Sequence, residues 1–262
     1  MTAVDNWWFI PAVVAALVGV LCPVTGSILI TQRRLLQANL ITHAVLPGIV
    51  LALAFGWNFT TGGLISAVLG ALLAEQLNQR FPGREDGVMN TVLAGFIALG
   101  VLLIPLLRLR IDLESLLFGD LLAANDGDLL RTLLAGLALV LVLLNRYRDF
   151  VYLGVDPEGA AAAGRPVAQL RFAMTLITAL VVICSLTAVG VVLVIALLCA
   201  PVLLHVEQSS SLKELMLRSA GTGLVLSAGG MGMAIALDLP PGPLIGVLCV
   251  VSLLIKPIAI RG

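Results

Sequence analysis

The chain alternates long uncharged runs of leucine, valine, isoleucine and alanine with short segments that hold most of its charged and turn-forming residues. A run of about 17–25 predominantly apolar residues is long enough to cross the hydrocarbon core of a bilayer as a helix. This length predicts about nine membrane-spanning helices. Their predicted positions are 7–30, 40–56, 62–79, 88–107, 129–145, 171–189, 190–205, 219–237 and 243–258.

One apolar run needs a break. The residues from Phe172 to Leu204 carry no charge at all and are too many for a single crossing. Glycine tolerates backbone conformations that other residues rarely adopt, so we place the break at Gly190. Two spans are therefore expected where the hydropathy pattern alone shows one.

Composition supports a membrane protein. The 262 residues are 60% hydrophobic and 11% charged, whereas soluble domains are about 45–50% apolar and about 25% charged. The apolar runs lack the alternation of a membrane strand, which favours helices. We therefore predict an all-α polytopic membrane helix bundle, one transmembrane domain over 1–262. The formal net charge of zero gives no general attraction to nucleic acid.

The distribution of basic residues predicts the orientation of the bundle. Cytoplasmic loops of membrane proteins are enriched in lysine and arginine. One set of loops holds twelve of the fifteen basic residues: Arg33, Arg34, Arg80, Arg84, Arg146, Arg148, Arg165, Arg171, Lys213, Arg218, Lys256 and Arg261. The opposite set holds Arg108, Arg110 and Arg131. The N-terminus should therefore face outward and the C-terminus inward, with Trp7, Trp8 and Trp57 at the outer interface.

The most informative polar pair lies inside an apolar run. Asn39 and His43 are four residues apart, so on a helix they share one face. Pro47 lacks an N–H group and leaves the carbonyl of His43 without its usual helical donor. An amide, an imidazole and a carbonyl together form part of a coordination shell for a divalent cation, which other spans, carbonyls or water must complete. The alternative is a histidine that packs and hydrogen-bonds between helices.

Two polar segments are longer than a simple connection requires. The inner one, residues 145–171, contains Asp156 as a helix N-cap, Pro157 at the first helical position and Gly164 as a left-handed stop. Small residues from Ala160 to Ala163 give this short helix a smooth surface, which predicts docking into another protein. The outer segment predicts a short amphipathic helix over Glu114 to Ala123.

Other polar residues have simpler explanations. His205 ends an apolar run near the predicted inner interface, where it can meet water. Asp238 belongs to a turn rich in proline and glycine, and the acidic residues Asp120, Asp126 and Asp128 fit a solvated outer loop. The four cysteines, Cys22, Cys184, Cys199 and Cys249, lie in apolar segments without a metal-binding spacing and are interpreted as small buried residues.

The sequence contains no phosphate-binding loop of the G-x-x-x-x-G-K-[ST] type, no zinc-hydrolase histidine–glutamate pair and no evident serine–histidine–aspartate arrangement. Prolines at 23, 47, 105 and 201 interrupt spans, which is typical of transport proteins, where other spans or water satisfy the freed carbonyls. We therefore expect a transport subunit that is not itself an enzyme, with any ATP hydrolysis in a separate chain.

The order of these features resembles the membrane subunits of bacterial manganese/zinc/iron ABC importers over nearly the whole chain. The resemblance is carried by Arg33-Arg34, by Thr42-His-Ala-Val-Leu-Pro-Gly48, by Leu116-Leu-Phe-Gly119, by Val155-Asp-Pro-Glu-Gly-Ala160 with Gly164, and by the segment from Val189 to Pro201. It implies a multi-pass protein of the bacterial plasma membrane that forms a homodimer pore and works by alternating access.

The resemblance also implies partners and residue roles. The expected partners are a cytoplasmic ABC ATPase, an extracytoplasmic metal-binding protein, a second copy of the chain and the lipid bilayer, without nucleic acid. Asp156, Pro157, Glu158, Ala160 and Gly164 fall at the family's coupling helix. In the family, an aspartate and a histidine on the second span contact the passing metal. His43 matches the histidine, whereas this chain has Asn39 at the position of the aspartate. No permanently bound cofactor is implied, and the transported ion is a divalent metal, with Mn²⁺ favoured over zinc or iron.

Two alternatives remain at this point. A permease for a metal chelate such as a siderophore or corrinoid would have a similar topology, although aromatic residues make up only 5% of this chain. An ATP-independent ion-coupled carrier or channel would need buried charged groups along its spans, and Glu75 is the acidic candidate.

Overall fold

The computed structural model describes residues 8–109 and 119–255, and the described chain folds into helices joined by short turns. The α-helices in these two ranges are α1 Phe9–Thr31, α2 Leu35–Phe55, α3 Phe59–Arg80, α4 Glu85–Leu106, α5 Asp126–Val155, α6 Pro157–Ala162, α7 Val167–His205, α8 Leu212–Leu237 and α9 Pro241–Ile255. A 3₁₀ turn covers Leu121–Ala123, and the described residues form no strand. The predicted all-α fold is confirmed.

Seven of the described helices, α1 to α5, α7 and α8, are long and apolar enough to cross a membrane. The number is lower than the predicted nine because two predicted spans are joined in α7, and because α9 has only 15 residues within the described range. Helix α5 continues to Val155, well past the predicted end at residue 145. Hydropathy falls after residue 145, but the next proline is Pro157, and Phe150 and Leu153 are buried.

Several predicted features lie wholly or partly outside the described residues. Trp7, Arg110, Lys256 and Arg261 do so, as do residues 116–118 of the segment that ends at Gly119. The predicted amphipathic helix over Glu114 to Ala123 begins outside the described range. Its described part is the 3₁₀ turn, which is capped by Asp120 and buries Leu121.

The break at Gly190 is confirmed. Gly190 has φ 77° and ψ 165°, which is not helical, and it divides the 39 residues of α7 into two helical halves. Ser185 before the break accepts a hydrogen bond from the Cys22 thiol over 3.8 Å, and Leu198 after the break contacts Gly26. A straight helix would hold residues 185 and 198 about 20 Å apart, whereas Cys22 and Gly26 are only about 6 Å apart on α1. The chain therefore reverses its direction at Gly190.

The two ends of the bundle differ in composition, and we name them by their residues. The tryptophan face is the end where α1 begins beside Trp8 and where α2 and α3 meet at Trp57. The arginine face is the opposite end, where Arg33 and Arg34 lie between α1 and α2. Since α7 reverses at Gly190, both of its ends lie at the arginine face.

Small residues allow the helix backbones to approach each other closely. Gly223 of α8 packs directly on the carbonyl oxygen of Gly19 on α1, so a β-carbon at position 223 would clash with it. Near this contact, the Ser227 hydroxyl donates a 2.8 Å hydrogen bond to the carbonyl of Ala15. Small residues at helix interfaces are the usual means of close packing in membranes, where lipid is as apolar as leucine.

The four cysteines are free thiols in the core of the bundle. Cys22, Cys184 and Cys249 are buried, and Cys199 is partly buried. This burial agrees with the interpretation of these residues as small apolar side chains.

The Gly19–Gly223 contact makes a specific prediction for stability. We expect Gly223→Val to lower the thermal midpoint of the detergent-solubilised protein, since overpacking costs about 1–3 kcal/mol and here the obstacle is backbone. Gly221→Val is the matched control, because a β-carbon at Gly221, on the same helix, would meet no atom within 4 Å. Equal midpoints for the two variants would contradict the packing argument.

Candidate functional site

Asn39 and His43 lie on one stripe of helix α2. Between residues 37 and 50 every side chain is buried except those of Asn39, His43 and Leu46, which are partly exposed. Their spacing of four and three residues places them on the same face of the helix. The rest of α2 is covered by α3, α4 and the first half of α7. The predicted pair is therefore only partly covered within the single chain, although Leu46 of the same stripe packs against Gly100 of α4.

His43 lies near the middle of its span. At about 1.5 Å of rise per residue, it is about 12 Å from the first residue of α2 and about 18 Å from the last. An ionisable side chain at that depth is rare in membrane proteins and is usually functional, facing a cavity or another subunit. The partly exposed Asn39 and His43 are therefore candidates for a functional site on this side of α2.

Pro47 interrupts the hydrogen bonds of α2 without ending the helix, which runs from Leu35 to Phe55. The site helix is supported from α3 at this level. The Ser66 hydroxyl donates a 2.6 Å hydrogen bond to the carbonyl of Ala44, and the Gly48 and Gly62 backbones are in direct contact. These contacts hold α2 in place at the level where Pro47 removes one of its backbone hydrogen bonds.

One chain supplies only part of a coordination shell. Within the described ranges, no group of three or more histidine, cysteine, aspartate or glutamate residues is placed to hold a metal ion. Asn39 and His43 contribute one amide and one imidazole, together with the carbonyl that Pro47 leaves free. A divalent cation takes about four to six ligands. The described part of one chain therefore offers fewer ligands at this stripe than a bound divalent cation requires.

The predicted docking helix is confirmed as a structural element. Helix α6 covers Pro157–Ala162, and the Asp156 side chain caps it by accepting a 2.8 Å hydrogen bond from the Gly159 amide. Gly164 has φ +72° and ends the helix in the left-handed conformation. The side chain of Glu158 is exposed, while Ala160 is buried against the bundle. The next alanine, Ala161, is exposed as well, so α6 presents a smooth outer surface at the arginine face.

Arg165 fixes α6 to the end of α5. Its guanidinium forms an ion pair with Asp149 and lies over the Tyr152 ring, 4.5 Å from the ring centroid. Asp149 also pairs with Arg146 at 3.4 Å. Helix α6 is thus fixed at both ends, by the Asp156 cap at its start and by this Arg165 clamp after its end.

A polar network at the arginine face was not predicted from the sequence. It consists of Arg34 at the N-cap of α2, Gln37 on α2, Glu75 on α3, and Arg171 and Thr175 on α7. The signal was present in the sequence, because Gln37 and Glu75 are polar residues within or beside predicted apolar runs. Hydropathy shows that such residues need partners but does not identify them.

The other polar residues have structural roles. The ring Nε2 of His205 lies 2.7 Å from the Thr222 hydroxyl on α8. Asp238 ends α8 in the left-handed conformation, which confirms the predicted turn. Asp128 is more buried than a solvated loop residue, because it completes a capping box with Asn125 and pairs with Arg131 at 3.2 Å.

Comparisons with known proteins agree with this architecture. The model of the ABC 3 transport family matches residues 7–260. The manganese transport system membrane protein MntC of Halalkalibacterium halodurans is 33% identical over 229 residues, which cover 87% of this chain and 78% of that protein. The chelated iron transport system membrane protein YfeD of Yersinia pestis is 34% identical over 259 residues, which cover 95% of this chain and 87% of YfeD.

A solved structure shares the fold. The structure of PsaBC from Streptococcus pneumoniae in complex with Fab matches with a TM-score of 0.87 and 25% sequence identity, covering 97% of this chain and 91% of that one. Together with the seven long apolar helices, these relatives indicate a multi-pass plasma membrane protein. The chain belongs to the ABC 3 transport family, as a permease of the metal-transporting kind.

Proposed function

We propose that this chain is the permease subunit of an ATP-driven importer of divalent transition metal ions, and that manganese is the ion it transports in preference to zinc or iron. The observation that carries the proposal is the open stripe of Asn39 and His43 at mid-span of α2, in a chain matched by a metal-transport family from residue 7 to residue 260. Manganese is named for MntC and chelated iron for YfeD, so an uptake assay should compare Mn²⁺, Fe²⁺ and Zn²⁺.

In the proposed assembly two copies of the chain line one path. The partial exposure of Asn39 and His43 supports this arrangement, because a second copy would cover the stripe with the same amide and imidazole and so double the number of ligands. We place the arginine face in the cytoplasm, as the distribution of basic residues favours. The N-terminus is then outside, the two halves of α7 are separate crossings, and the bundle has nine spans.

The energy source in this proposal is a cytoplasmic ABC ATPase that binds α6. Glu158 and Ala161 are exposed at the arginine face, while the Asp156 cap, Pro157, the buried Ala160 and Gly164 fix the shape and position of the helix. An extracytoplasmic metal-binding protein would deliver the ion at the tryptophan face. ATP binding would bring the two ATPase subunits together, and α6 would transmit the motion that changes which side the path faces.

The central prediction concerns His43. We expect His43→Ala to abolish Mn²⁺ uptake in cells that lack the native chain, because it removes an imidazole ligand from the path. Membrane insertion and copurification of the ATPase should survive, since His43 lies far from α6 along the chain and is only partly buried. The matched control is His205→Ala, which removes the other histidine of the chain and should retain uptake in proportion to its expression. Normal uptake by His43→Ala would rule out the site.

A second prediction concerns the amide at position 39. Asn39→Asp adds a formal negative charge to each copy, which binds a divalent cation more strongly at low dielectric. We expect a lower apparent KM for Mn²⁺ and a lower maximal rate, because an ion that is held more tightly is released more slowly. Initial uptake rates over a range of Mn²⁺ concentrations measure both constants. A KM equal to that of the native protein would show that position 39 does not contact the ion.

A third prediction concerns the docking surface. We expect Glu158→Lys to reduce copurification of the ATPase subunit, because the reversed charge lies on the exposed side of α6. Asp126→Lys is the matched control, since Asp126 is also an exposed acid in the first turn of a helix but lies near the tryptophan face. Equal recovery of the ATPase with both variants would mean that α6 is not the contact.

A further inference from the structure

Five polar side chains connect three helices at the arginine face. They are Arg34 at the N-cap of α2, Gln37 of α2, Glu75 of α3, and Arg171 and Thr175 of α7, and we call them the arginine-face network. The network brings the helix that follows α6 into contact with the helix that carries Asn39 and His43. Neither the docking role of α6 nor the metal role of His43 accounts for these contacts.

The network has two branches. In the ionic branch, the Glu75 carboxylate lies between two guanidinium groups, 3.4 Å from Arg34 and 3.5 Å from Arg171. In the neutral branch, the Gln37 side-chain amide donates a 2.6 Å hydrogen bond to the Thr175 hydroxyl, and that hydroxyl donates to the Arg171 carbonyl at 3.0 Å. Arg34 joins the branches by donating to the Gln37 side-chain oxygen at 3.2 Å.

The network is unsuited to binding a cation itself. It contains two guanidinium groups and one carboxylate, so its formal charge is positive. Gln37 is also on the opposite side of α2 from Asn39, because two residues correspond to about 200° of rotation on a helix. The network can therefore affect the candidate site only by setting the position of α2, and not by contacting the ion.

Apolar packing and polar contacts together join the three helices around the network. Cavities of about 410 and 440 Å³ adjoin it, and both are lined by Arg34, Gln37, Glu75 and Arg171. Close-packed apolar contacts between helices transmit a displacement through the whole interface. Apolar residues of the same three helices, among them Ala38, Ala71 and Met174, share one core cluster. A movement of the start of α7 therefore reaches α2 and α3 through this packing together with the named hydrogen bonds and ion pairs.

The start of α7 follows α6 directly. Only Ala163 to Pro166 separate the two helices, and the Arg165 clamp on Asp149 and Tyr152 limits the freedom of this connection. Arg171 and Thr175 then lie in the second and third turns of α7. A short continuous route therefore runs from the docking helix to the N-terminal end of α2.

We propose that the arginine-face network couples the docking helix α6 to the site helix α2, with Thr175 and Gln37 as positioning residues that make ATP-driven motion move the metal site. This proposal rests on the proposed function, since it requires an ATPase at α6 and a cargo path at His43. It adds a residue-level route for the motion. Loss of the route should leave both ends intact but separate ATP hydrolysis from transport.

The test uses the complete importer, with permease and ATPase reconstituted in lipid vesicles and supplied with the metal-binding protein and Mn²⁺. We measure Mn²⁺ imported and ATP hydrolysed in the same sample, and express coupling as their ratio. Thr175→Val keeps the shape of the side chain and removes the hydroxyl, and we expect the ratio to fall about fivefold or more, the range of an ordinary coupling energy. The apparent KM for Mn²⁺ should not change, because the network does not contact the ion.

Three companion variants make the result specific. Thr178→Val is the matched control, since Thr178 is a buried threonine one turn further along α7 whose hydroxyl has no hydrogen-bond partner among the described residues. Its ratio should equal that of the native complex. Gln37→Met should reproduce the effect of Thr175→Val, and the double variant should be no worse than either single one. Thr175→Ser, which restores a hydroxyl, should recover most of the coupling.

The proposal is overturned if Thr175→Val and Thr178→Val give the same ratio, or if the effects of Thr175→Val and Gln37→Met add. A change that only destabilises the protein lowers import and hydrolysis together and leaves the ratio unchanged, which also contradicts the proposal. Failure of the proposed function is a different result, because the native complex itself would then import no Mn²⁺ or His43→Ala would import it normally.

Discussion

The dominant constraint on this structure is that hydrocarbon offers no partner for a polar group. Each backbone N–H and C=O within a span must be satisfied inside the protein, which restricts the chain to helices. The same requirement acts on the side chains. Ser66 and Ser227 donate to carbonyls of neighbouring helices, and Gln37 reaches Thr175 on another helix. Asn39 and His43 remain partly exposed, whereas Ser66, Ser227, Gln37 and Thr175 are all buried.

This contrast separates two kinds of polar residue that hydropathy alone treats alike. The hydroxyls of Thr132 and Thr25 donate hydrogen bonds to carbonyls of their own helices, so these bonds do not connect one helix with another. The arginine-face network satisfies polar groups between helices and so fixes how α2, α3 and α7 lie relative to one another. Among the described residues, the side chains of Asn39 and His43 on α2 have no hydrogen-bond partner within the chain. A path for a polar cargo between two copies would give them a partner.

Local rules predicted much of the fold because they depend only on neighbouring residues. The start of α6 at Pro157, its Asp156 cap and its stop at Gly164 followed from capping chemistry, and the break at Gly190 followed from length and the freedom of glycine. The end of α5 at Val155 was not predicted, because a polar helix outside the apolar region has no hydropathy signal. The pairing of Glu75 with Arg34 and Arg171 was also beyond local rules, since those residues are far apart in the sequence. The candidate pair Asn39 and His43 could be selected by spacing, but its open surroundings depend on how α3, α4 and α7 cover the rest of α2.

The reversal at Gly190 has a consequence for biogenesis. From Phe172 to Leu204 the nascent chain offers the insertion machinery no charged residue, so nothing inside this segment can specify which half enters the bilayer first or in which direction. The topological information lies at its borders, in Arg165 and Arg171 before it and in Lys213 and Arg218 after it. The two halves are therefore expected to leave the translocon as one hairpin with Gly190 at its tip.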